Sequence, residues 1–76
     1  MIDQIKAYND ERDAVLLTDN LAVFIEWALS KKQTFSSDYV AEIARRKMIT
    51  ACPKLPKELR ARAKQWLEEH GFESWD

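Results

Sequence analysis

The stretch that decides the fold is Asp10–Lys32, DERDAVLLTDNLAVFIEWALSKK. Leu17, Leu21, Phe24, Ile25, Ala28 and Leu29 recur at i, i+4, i+7, i+8, i+11 and i+12, one apolar stripe at helical period. Val23 and Trp27 widen it. Ala14 and Leu17 are in phase with Leu21, which predicts one continuous helix of roughly 35 Å at about 1.5 Å per residue. The alternative is a break at Thr18-Asp19-Asn20, with Thr18 capping a shorter helix. Lys31-Lys32 then suit the last turn, where cations complement the helix dipole.

Upstream, Ile2 and Ile5 lie three apart, enough for a short helix from Ile2 to about Tyr8. Asn9-Asp10 can cap the long helix, and Asp10, Glu11 and Asp13 place acid in its first turn. Downstream, Ser36 or Ser37 caps the next helix. With Ser36 as cap, Phe35 and Val40 form a hydrophobic staple. Val40, Ile43, Ala44, Met48 and Ala51 are its expected inner face, and Pro53 ends it near Cys52. The last helix opens with Pro56 at its first position. Leu59, Ala63, Trp66, Leu67 and His70 make its stripe. Gly71 is its stop, with Phe72 and Leu67 as the apolar pair of a Schellman ending. No alternating β-branched run marks a strand. The expectation is an all-α fold over residues 1–76 as a single domain. It is a compact three-helix bundle, with or without a short additional N-terminal helix.

Composition narrows the function classes. The chain has 76 residues with one Cys, one His, one Gly and two Pro. Those counts exclude an internal disulfide, a four-ligand Cys/His zinc site and a glycine-rich phosphate loop. No cofactor or metal is expected. Met1-Ile2-Asp3-Gln4 lacks the basic and apolar regions of a signal peptide. Leu21 to Leu29, interrupted by Glu26, is too short to cross a bilayer. The reading is a cytoplasmic protein with no membrane association. Nucleophilic catalysis needs an activated group beside a base, and Cys52 with His70 is the only such pairing. Both have simpler readings, as a partly buried thiol and a helix-ending imidazole, so no enzyme is expected.

Charge is segregated. Residues 1–30 carry two cations against six acids, residues 31–64 ten cations against three acids, and residues 65–76 four acids. The formal net charge of -1 is thus the sum of -4, +7 and -4. Lys57, Arg60 and Lys64 share one face of the last helix, able to track a phosphate backbone. With Arg45 and Arg46 they define a basic strip across residues 45–64. Helix-turn-helix recognition is disfavoured, because the connection holds two prolines and is longer than that motif's short turn. Aromatic residues are numerous, and Trp75 lies beyond the last helix stop with no evident core position. Exposed aromatic and Arg side chains form interface hot spots. The expected partner-binding residues are Arg45, Arg46, Lys57, Arg60, Lys64 and Trp75. They would serve a non-catalytic module, a regulator or inhibitor, acting through a protein partner or as a homodimer. Nucleic-acid binding through the same strip is the alternative. The size and the lack of a catalytic constellation suit small accessory proteins of phages and other mobile elements, many of which modulate a host protein.

Overall fold

The computed structural model describes residues 2–76, with side chains from Gln4 onward. Its helices are α1 (Ile2–Leu17), α2 (Leu21–Ser30), α3 (Asp38–Thr50) and α4 (Lys57–Glu69), and no strand occurs among the described residues. The all-helical class stands, while the three-helix count is corrected to four. The Ile2 side chain, three residues before Ile5 in the expected apolar pair, lies outside the described residues.

The correction comes from the deciding stretch, which breaks at Thr18–Asn20. The Thr18 hydroxyl donates to the Val15 carbonyl at 2.6 Å. Asp19 adopts φ 49°, the left-handed conformation that Asp tolerates better than most residues. Asn20, not Thr18, caps α2, its side chain accepting from the Val23 N–H at 3.2 Å. The turn resets the helical phase. Leu16, not Leu17, is fully buried in α1, and Leu17 is 53% exposed. The match between Leu17 and Leu21 was a coincidence of register. Nor does Asn9-Asp10 start a helix: α1 runs through it, braced by a Lys6–Asp10 ion pair at 3.1 Å, one turn apart.

α3 is capped by Ser37, whose Oγ accepts from the Val40 N–H at 3.2 Å, so the Phe35–Val40 staple does not form. Its buried residues are Ala41, Arg45, Ile49 and Thr50, while Val40 and Ala51 are exposed. Of the expected inner face, Ala44 and Met48 do pack against the core and Ile43 is half-buried, but the fully buried row lies beside them, because α3 packs against both α2 and α4. The central row of that buried sector, Ala41–Arg45–Ile49, contains an arginine that an apolar pattern passes over. Pro56 is the cap residue before α4, not its first helical position. α4 ends as expected. The Phe72 N–H bonds to Leu67 O at 2.8 Å and the Gly71 N–H to Glu68 O at 3.2 Å, with Gly71 at φ 81°.

α3 and α4 form an antiparallel hairpin, with Tyr39 at the start of one beside Trp66 and His70 at the end of the other. Leu16, Phe24, Trp27, Ala28, Ile49, Cys52, Leu55, Leu59 and Ala63 make one core. Burying its large members stabilises by about 1.5–3 kcal/mol each. The alanines let the helices approach closely. The molecule measures 38 × 28 × 18 Å.

α2 closes with the same two bonds as α4: Gln33 N–H to Ala28 O and Lys32 N–H to Leu29 O, both 2.9 Å. Here the left-handed position is held by Lys32, at φ 62°. A side chain at such a position costs about 1 kcal/mol. Lys32→Gly is therefore expected to raise stability by about 0.5–1 kcal/mol in urea unfolding; a loss of stability would show that the lysine side chain outweighs the strain.

Candidate partner-binding surface

Folding divides the six expected site residues into two groups. Arg45 is withdrawn from the surface, being only 3% exposed. Its Nη1 lies 2.7 Å from Asp19 Oδ1 in the α1–α2 turn, and its Nη2 lies 2.5 Å from Glu42 Oε1, one turn back on α3. Such a guanidinium is tolerable only because it is paired and hydrogen-bonded. Arg46 shares Glu42 at 2.7 Å and lies over the Trp66 ring, 5.4 Å from its centroid. These two side chains hold the bundle together and do not form one strip with α4.

The other four belong to a different face. Lys57 and Lys64 are exposed, and Arg60 is half-buried with its Nε donating to the Leu55 carbonyl at 3.0 Å. With Thr50, Ala61 and Asp76 they line a shallow concavity of ≈ 180 Å³. Lys64 Nζ is 3.0 Å from Asp76 Oδ2. The segment after the Gly71 stop folds back along the hairpin, and the Trp75 N–H donates to Thr50 Oγ1 at 2.9 Å. Thr50 in turn donates to the Lys47 carbonyl at 2.7 Å. The Trp75 ring is not tucked away. It is 57% exposed, with Lys47 Nζ 5.8 Å from its centroid. Sequence reasoning singled out none of Lys47, Thr50 and Asp76, because only the returning tail brings them beside Trp75 and Lys64. A larger hollow of ≈ 350 Å³ between α2 and the start of α3, lined by Ile25, Leu29 and Phe35, carries none of the expected site residues.

Cys52 and His70 lie at opposite ends of α3, whose 13 residues span about 20 Å. Cys52 is buried beside Arg12 and Asp13. Burial pushes its thiol up, Arg12 offsets part of this and Asp13 adds to it. His70 stacks on Trp66 at 4.0 Å, its Nδ1–H donating to the Trp66 carbonyl. The pairing that nucleophilic chemistry would need is not assembled. No group of three or more His, Cys, Asp or Glu suited to a metal occurs among the described residues. No helix among them is long and apolar enough to cross a membrane. Comparison with known proteins finds no matching family model, no matching curated protein and no matching solved structure.

The Arg45 pairing also fixes an acid response. Partial burial pushes the Asp19 carboxyl up, but the Arg45 hydrogen bond and the charges of Arg45, Arg46 and Arg62 outweigh it and hold it below the usual 3.8. A depressed carboxyl stabilises the fold fully above its unfolded value and loses that contribution as pH falls through the lower folded one. Wild type is therefore expected to be more stable than Asp19→Asn at neutral pH, with the difference shrinking as pH falls below 3.8. Urea midpoints across that range check it, and a pH-independent difference would contradict the charge pairing.

Proposed function

We propose that this chain is a small single-domain binding module without catalysis, a regulator or inhibitor that acts through contacts with a protein partner. One observation carries the reading: the Trp75 ring stands in solvent while its own backbone is fastened to Thr50. Tryptophan is the side chain most enriched at interface hot spots. An anchor already held in place loses less freedom on binding than one on a loose tail.

The surroundings favour an acidic partner. Lys47 lies by the ring, and Lys57 and Lys64 line the concavity that holds Asp76, the next residue along the chain. Charges of this kind chiefly raise the association rate and reject wrong partners. The separation of Cys52 from His70 supports a role without chemistry. Nucleic-acid binding is the second reading, favoured by Lys57 and Lys64 on one exposed helix face. With three neutralised phosphates its affinity would fall with salt at a log–log slope of about -3, and little would remain at physiological ionic strength.

Trp75→Ala removes the anchor at a stability cost of about 0.5 kcal/mol or less, as at other surface positions. Side-by-side pull-downs are expected to recover proteins on the wild-type chain that the variant loses, with an unchanged melting temperature. Equal recovery by both would overturn the reading. So would a wild-type chain that retains no protein but holds a DNA duplex at low salt.

A further inference from the structure

We propose that the concavity of Lys57, Arg60 and Lys64 is a carboxylate-binding pocket for an acidic, extended segment of a partner protein, and that Asp76 is its resident, displaceable occupant. This rests on the binding-module reading and names the chemistry of the partner at that surface.

The resident contact is the first support. Asp76 Oδ2 lies 3.0 Å from Lys64 Nζ, and the Ser74 hydroxyl donates to the other carboxylate oxygen. The Ser74 hydroxyl and Lys64 hold the carboxyl below its usual value, so it is an anion at neutral pH. The residues before it, from Phe72 onward, lie outside any helix. A carboxylate on non-helical backbone therefore already lies at the pocket, paired with Lys64, as a partner's would.

The charge balance is the second. Among the described residues neither Lys57 nor Arg60 forms an ion pair. Arg60 engages Nε with the Leu55 carbonyl, leaving both Nη groups for another acceptor. Three cations thus line a concavity whose one carboxylate pairs with Lys64 alone, and Glu68, one turn beyond Lys64, is the other acid that Lys64 feels. The occupant is also loosely held: the Lys64 and Asp76 side chains are 49% and 45% exposed. Exposed ion pairs contribute little, so Asp76 opposes an external carboxylate only weakly. The pocket is short for nucleic acid, since Lys57 to Lys64 covers about 10 Å of helix.

The test uses the full chain and a fluorescein-labelled hexaglutamate peptide, followed by anisotropy at low salt, with hexaglutamine and single-stranded oligothymidine as controls. Asp76→Asn is expected to bind hexaglutamate about threefold more tightly than wild type, and Lys57→Ala about threefold more weakly, the scale of an exposed ion pair. Hexaglutamine is expected not to bind. The proposal is overturned by an Asp76→Asn affinity equal to wild type, by indifference to Lys57→Ala, or by tighter binding of oligothymidine than of hexaglutamate. If Asp76→Asn changes nothing while protein capture still depends on Trp75, the pocket fails and the module reading stands. If hexaglutamate binds as expected while capture ignores Trp75, the module reading fails instead.

Discussion

A guanidinium taken almost wholly out of water organises this bundle. Arg45 lies in the middle of the buried row of α3, where an apolar side chain would be expected, and a charge there is stable only if its partners come with it. Glu42 comes from the same helix. Asp19 comes from a stretch that would otherwise continue as helix, and it reaches Arg45 from a left-handed backbone conformation. The ion pair and the helix break are two aspects of one event. Once the chain turns at Asp19, α1 and α2 separate, and Leu16 rather than Leu17 enters the core.

How far the sequence could be read depends on the range of each interaction. α4 was legible almost to the residue, because Leu59, Ala63 and Leu67 are spaced by one turn and Gly71-Phe72 is a local stop signal. The helical class was legible from the same periodicity. The α1–α2 break was not. Leu17 and Leu21 fit a continuous helix and an interrupted one equally well, and the partner that decides between them is 26 residues away. On α3, Ala44 and Met48 were legible, but the fully buried row was not, since a pattern of apolar residues cannot include a buried arginine. Trp75 had no evident place because its tie to Thr50 spans 25 residues.

The charge segregation also resolves into two parts. The cations of α3 nearest the core are committed to structure: Arg45 and Arg46 share Glu42, and Arg46 also covers Trp66. Lys57, Arg60 and Lys64 of α4 instead line one surface concavity, where Lys64 pairs with a carboxylate of the returning tail. A strip that looked uniform in sequence is thus a structural half and a solvent-facing half on different faces. The tail joins the two themes, because it fixes the exposed tryptophan and partly neutralises the pocket beside it.

The claim on which all of this depends is that Arg45 and Asp19 act as a pair. A double-mutant cycle of Arg45→Met and Asp19→Ala, read by urea unfolding at neutral pH, measures it directly. Methionine fills the buried stem without a charge, and Glu42 keeps Arg46 as a partner. The two substitutions are expected to couple by about 1–3 kcal/mol, as contacting groups in one network do. Additivity to within about 0.3 kcal/mol would contradict the pairing, and with it the reason given for the helix break.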